Sequence, residues 1–314
     1  MKALYFDCFS GISGDMTLGA LLDLGIDKDA FLAEMAKLNV EGFEIKIGRT
    51  EKSGIGAQDV DVILTNGEFV DEHHHHDHEH THEHEHSHDE HEHHHDHEHT
   101  HEHEHTHDHE HTHEHEHTHD HEHMHDHDHA HTHSHEHTHA HVHRNINDIN
   151  TIIDNSTIAD SAKDLAKRIF MRVAKAEAKV HGKTLEEVHF HEVGALDSIV
   201  DIIGTAVLID MIKPDKIYAS IVNDGHGFIK CQHGLMPVPA PATAEIFAAS
   251  DVVYKQIDVN NEMVTPTGAA IIAELAESYG ICPQMNIVKT GYGAGKREFS
   301  IPNLLRVVVG EIEG

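Results

Sequence analysis

Between Asp71 and His143 the chain carries 38 of its 43 histidines and 22 of its 56 acidic residues, with no Lys or Arg. No other feature constrains folding as much. A stretch so dense in charge, with almost no apolar side chains, cannot bury enough surface to offset the entropy of ordering it. It is expected to be a disordered insertion hanging from a surface loop. The closure entropy of such a loop rises only slowly with length, so its two flanks can belong to one fold. The expected organisation is a first part of a folded domain over 1–70, the insertion over 71–143, and the second part of the same domain over 144–314.

The tract also has a chemistry. Histidine alternates with Glu, Asp, Thr or Ser through most of it, for example at His99, His101, His103 and His105. In an extended chain, residues i and i+2 point the same way, so imidazoles line one side. Neutral imidazole suits nickel, copper and zinc, and a flexible chain can wrap several around one ion. Many weak, pH-sensitive divalent-metal sites are expected, releasing metal as pH falls through about 6.5.

Outside the tract acidic residues still exceed basic ones, 34 to 22. That excludes nucleic acid as a natural partner, since phosphate neutralisation needs clustered Lys and Arg. Cys8, Cys231 and Cys282 are far apart with no CxxC spacing, so three reduced thiols are expected rather than a disulfide framework or zinc knuckle. Met1–Phe6 is too short to be a secretion signal, and no run of 18 apolar residues exists, so no membrane span is expected and the location implied is cytoplasmic.

Periodicity predicts strands at 3–6, 43–47, 58–65, 215–222, 227–231, 252–254, 286–290 and 304–311. It predicts helices at 15–24, 28–38, 146–154, 161–181, 197–212, 242–249 and 266–279. Strands and helices interleave, so a layered α/β or α+β fold with a mixed sheet is expected.

Four places in this frame carry candidate chemistry. Asp7 to Asp15 joins a strand to a helix start, with Ser10, Gly11 and Ser13 offering N–H and hydroxyl groups to an anion, and Asp7 and Asp15 forming a carboxylate corner. His189 and His191 share one side of an extended segment, followed by Glu192. Asp197 and Asp201 then sit i, i+4 on one helix face, with Asp201 flanked by apolar residues and in need of a cation or histidine. Asn223-Asp224-Gly225 reads as a turn, with His226 as a possible ligand. Thr265 and Thr267 open a helix, and the glycine-rich 291–297 loop, ending in Lys296 and Arg297, reads as a phosphate-binding loop.

The motifs YFDCFSGISGDM at 5–16, HFHEVGALDSIVD at 189–201, VPAPAT at 238–243 and TPTG at 265–268 resemble the LarC family. The resemblance implies nickel insertion into pyridinium-3,5-bisthiocarboxylic acid mononucleotide, which matures the nickel-pincer cofactor of lactate racemase-type enzymes. It also implies a C-terminal domain that binds CTP with Mg(2+) or Mn(2+). This chain resembles the N-terminal part alone, so a separate C-terminal LarC-type subunit is the expected partner. The resemblance assigns no catalytic residues to this half, so the roles rest on the residues themselves: His189, His191, Glu192 and Asp7 are the catalytic candidates. His189, His191, Asp197, Asp201, His226 and the tract histidines are the metal ligands, and Ser10, Gly11, Ser13, Thr265, Thr267, Lys296 and Arg297 hold the substrate. Two other readings fit the residues: a non-catalytic nickel store that delivers to a C-terminal subunit, and a metal-dependent hydrolase.

Overall fold

A seven-stranded mixed sheet organises the structure, a computed structural model that describes residues 1–65, 144–188, 190, 195–231 and 233–313. Its first strand, β1 (Lys2–Asp7), is short and buried over four successive residues. Such a run reads as a central strand, and β1 lies between β11 (Leu304–Glu311), antiparallel, and β4 (Lys216–Ala219), parallel. The helices α1 (Gly14–Asp23) and α2 (Lys28–Ala36) follow, then the hairpin β2 (Phe43–Lys52) and β3 (Ile55–Leu64). Ser53 and Gly54, both at positive φ, make its turn. Beyond the tract come α3 (Ile146–Asn155), α4 (Asp160–His181) and α5 (Leu196–Ile212). Next are β4, β5 (Val222–Asp224), β6 (Phe228–Cys231), β7 (Gly234–Pro237), α6 (Pro241–Ala248), β8 (Tyr254–Gln256), α7 (Pro266–Leu275), β9 (Ser278–Tyr279), β10 (Asn286–Ala294) and β11. The sheet order is β2-β3-β10-β11-β1-β4-β9, with β5-β8 and β6-β7 as separate pairs. Strands from both sides of the tract thus share one sheet.

The layers meet through glycine. A Cβ at Gly293 would lie 1.9 Å from the Met16 carbonyl, and one at Gly291 would lie 2.2 Å from that of Ala20. These glycines let α1 lie directly on the backbone of β10. The expected glycine-rich loop from 291 is therefore mostly strand, and the loop begins only after Ala294. Two further expectations shift. The helix from Pro266 stops at Leu275, and the chain re-enters the sheet as β9. The strand expected over 215–222 is split: β4 joins the main sheet, while β5 pairs with β8 in parallel. Asn223-Asp224-Gly225 is accordingly not a hairpin turn. The core runs from Leu4 and Phe6 through Leu18, Leu21 and Phe31 to Ile169, Phe170, Ile202, Ile203 and Ile271. All three cysteines are free.

Candidate functional site: a carboxylate cluster at two helix starts

The loop leaving β1 is clamped before it reaches α1. Ile12 N–H donates to the Met263 carbonyl (3.0 Å), and Thr265 N–H donates to that of Ile12 (3.2 Å). Gly11 has φ +81°, and a Cβ there would overlap Met263 O at 1.9 Å, so glycine is required. The clamp itself hangs on Asp224, which is fully buried. Its Oδ1 accepts N–H bonds from Gly225 (2.8 Å), Met263 (2.8 Å) and Val264 (3.2 Å). Asp224 is a brace that sequence reasoning missed, because Met263 and Val264 lie some forty residues away.

The clamped loop delivers α1 and its first-turn Asp15 against the first turn of α5. There Asp197 and Asp201 meet it. A Cβ on Gly14 would sit 2.2 Å from Asp201 Oδ2, so the residue must be glycine for that carboxylate to lie against the helix start. Burial pushes the carboxyl pKa of all three up, and their mutual repulsion adds to it: Asp15 acts on Asp197, and both act on Asp201. Asp201 is raised furthest. Asp15 is partly relieved by the Ser13 hydroxyl and by Met16 N–H at 2.8 Å. Oδ1 of Asp197 and Oδ1 of Asp201 are buried without a hydrogen-bond partner. A helix start helps one carboxylate through its dipole, but three in one place leave charge unneutralised. That is the electrostatic signature of a place for a cation. Among the described residues, no group of three or more His, Cys, Asp or Glu side chains is arranged to hold a metal ion.

The other candidates distribute as follows. Asp197 and Asp201 are brought together as their spacing implies, with Asp197 in the first turn of α5. Ser13 is the N-cap of α1 by position, but its hydroxyl serves Asp15. Ser10 is fully buried with an unpartnered hydroxyl. Thr265 caps α7 by accepting Gly268 N–H (3.1 Å), and Thr267 is buried in the first turn of that helix. Lys296 stands beside the cluster, where it lowers the pKa of Asp15 and Asp201. Its ammonium is 2.5 Å from Asp59 and 2.6 Å from Asp61, which share one side of β3. Burial works against the lysine charge, and those two carboxylates more than restore it. Arg297 binds Asn261 and Glu262. Neither cation stands clear for a phosphate in this arrangement. Asp7 is drawn away from Asp15 and held by Arg306. His226 pairs with Asp258 at 3.2 Å on the exposed surface. His189, His191, Glu192 and the tract histidines His99, His101, His103 and His105 lie outside the described residues.

A mixed α/β layer structure with a buried carboxylate cluster at two helix starts defines the class. Comparison with known proteins narrows it. The profile of the nickel insertion protein family matches residues 4–314, and the chain belongs to that family. It is 46% identical to a pyridinium-3,5-bisthiocarboxylic acid mononucleotide nickel insertion protein of Clostridium acetobutylicum, over 100% of this chain and 65% of that protein. It is 43% identical to one of the same description in Acetivibrio thermocellus, over 99% of this chain and 60% of that one. A putative nickel insertion protein of Maridesulfovibrio salexigens is 45% identical, over 100% and 64%. The chain thus spans about three fifths of the length of these relatives. No solved structure matches it. Among the described residues, no helix is long and apolar enough to cross a membrane.

Proposed function

We propose that this chain inserts Ni(2+) into pyridinium-3,5-bisthiocarboxylic acid mononucleotide, acting with a C-terminal LarC-type part that binds CTP with Mg(2+) or Mn(2+). The observation that carries the reading is the unpartnered carboxylate of Asp201, set among Asp15 and Asp197 in a member of the nickel insertion protein family. The substrate brings two sulfur donors and a ring carbon to the metal. The protein must hold a partly desolvated nickel ion and accept the proton that leaves the ring carbon as the nickel–carbon bond forms. Asp15 and Asp197 supply charge for the ion. Asp201, buried beside them with Oδ1 unpartnered, is the proton acceptor. His189, His191 and Glu192 remain proposed here as additional donors on sequence grounds. Lys296 is proposed to exchange its Asp59 and Asp61 partners for the substrate phosphate. The tract is proposed as a nickel reservoir.

The test is an assay with nickel, CTP, Mg(2+) and purified substrate, run with and without a separately produced C-terminal part. Nickel-cofactor formation with both parts is expected. If none forms, insertion is not this chain's activity. Nickel transfer to the C-terminal part without dependence on Asp201 would favour the storage and delivery reading, which the tract's composition supports.

A further inference from the structure

Four side chains of metal-ligand chemistry meet where the end of α4 faces the β6–β7 hairpin. Glu177 and His181 lie one turn apart, with Oε2 3.3 Å from Nε2. On the hairpin, Cys231 Sγ lies 3.9 Å from His233 Nδ1. The two imidazoles link the pairs, their ring centroids 5.0 Å apart and their planes tilted by 40°.

We propose that Glu177, His181, Cys231 and His233 form a binding site for one divalent ion of the nickel or zinc type, distinct from both the histidine tract and the carboxylate cluster. The spacings carry the argument. With metal–nitrogen bonds of about 2.0–2.1 Å and a metal–sulfur bond of about 2.3 Å in tetrahedral geometry, neighbouring donor atoms lie roughly 3.3–3.8 Å apart. Two imidazoles on one such ion place their centroids about 5 Å apart. The observed 3.3, 3.9 and 5.0 Å match these values within a small side-chain rotation. As they stand, no three such side chains among the described residues are arranged to hold a metal ion, so the site forms only when the hairpin pair turns toward the helix pair. The helix pair is the fixed half, with side chains 6% and 18% exposed for Glu177 and His181. The hairpin pair is more exposed and closes by rotation about its own torsions. Mixed imidazole, thiolate and carboxylate donors favour borderline ions over Mg(2+) or Ca(2+). The carbonyl end of α4 adds a favourable dipole for a cation. On binding, the Cys231 thiol gives its proton to solvent and the sulfur bonds the metal.

This site is separable from the tract because the tract holds no cysteine. The reduced full-length chain is titrated with Co(2+), then Ni(2+), until the spectrum stops changing. A thiolate-to-metal charge-transfer band is expected to saturate at one site per chain. Cys231→Ser should abolish it. Cys282→Ser should leave it unchanged, and Cys8 is fully buried in the core. His233→Ala and His181→Ala should each weaken the transition at least tenfold, since even outer partners of a metal site are worth about 10–100-fold. The wild-type band is decisive whether or not a variant folds: no band at saturation overturns the proposal. So does a band that survives Cys231→Ser, or one untouched by both histidine changes. Because only metal is added, failure here leaves the insertion reading standing, and the reverse also holds.

Discussion

Asp7 and Asp15 lie at the two ends of one loop and have opposite fates. Asp7 closes β1, and the antiparallel register with β11 sets it opposite Arg306, which donates from both Nε (3.0 Å) and Nη2. Asp15 opens α1, where the neighbouring start of α5 brings the carboxylates of Asp197 and Asp201 and Lys296 gives only partial relief. Sheet register can place a complementary charge directly across the ladder, about 5 Å away. Converging helix starts supply only partial positive charge, equivalent to about half an elementary charge each. The first arrangement is structurally complete. The second leaves buried carboxyl oxygens of Asp197 and Asp201 without a partner, and proteins keep such unfavourable arrangements chiefly at functional sites.

Replacing the central member of the cluster tests this contrast most severely. Asp201→Asn should lower nickel insertion by about a hundredfold or more, as loss of a charge-stabilising or proton-accepting group does. The same change should make the metal-free protein more stable, by roughly 1 kcal/mol or more, because it removes a buried like charge. The pH dependence follows from the direction of the shift. The folded-state pKa of Asp201 lies above its ordinary value of 3.8, so between the two the native state holds more protons than the unfolded state. Wild-type stability therefore falls as pH rises through that window, and the full penalty remains above it. The advantage of Asp201→Asn should be near zero below the ordinary carboxylate pKa and grow as pH rises. Melting curves across a pH series check this; parallel wild-type and variant curves would break the contrast.

Gly14→Ala attacks the same cluster from the backbone side. Its new methyl would meet Asp201 Oδ2 at 2.2 Å and Cβ at 2.6 Å. A cost of about 1–3 kcal/mol is expected from the forced displacement, together with loss of insertion. Denaturant unfolding measures the first, and an unchanged midpoint would mean that α1 and α5 are not held this closely. Lys296→Met sharpens the picture in the other direction. Without the ammonium, the pKa values of Asp15 and Asp201 should rise further, displacing the pH-dependent loss of stability upward. No displacement would mean that Lys296 acts only on Asp59 and Asp61.

Much of the frame was legible in the sequence because local signals agreed with tertiary structure. The i, i+4 spacing of Asp197 and Asp201 in an apolar helix pointed to a shared face and an unmet need for a cation, and the structure places both in the cluster. Asp15 was visible as half of a carboxylate corner, but Asp7 seemed its natural partner. Only the register with β11 shows that Arg306 takes Asp7. Lys296 looked like a free cation because Asp59 and Asp61, more than 200 residues earlier, become its neighbours only when β3 joins β10 in the sheet. The glycines at 291 and 293 suggested a flexible loop. They are in fact strand residues thinned to admit α1, and their meaning lies in the helix opposite. His226 was flagged by residue type alone, and type does not say which surface a side chain faces.

The smallest expected effect belongs to the satisfied end of the loop, and it tests whether the contrast is real. Arg306→Gln removes the counter-charge of Asp7. The arginine side chain is 43% exposed and the aspartate 14%, so solvent takes over part of the lost interaction. A loss of about 1 kcal/mol or less is expected, in line with partly exposed ion pairs. Nickel insertion should be unaffected, because Arg306 pairs with Asp7 and not with Asp15, Asp197 or Asp201. Melting curves and the insertion assay on one preparation give both readings. If Arg306→Gln abolished insertion while costing little stability, the ion pair would itself be part of the working site, and the division between a structural and a functional end of the loop would be wrong.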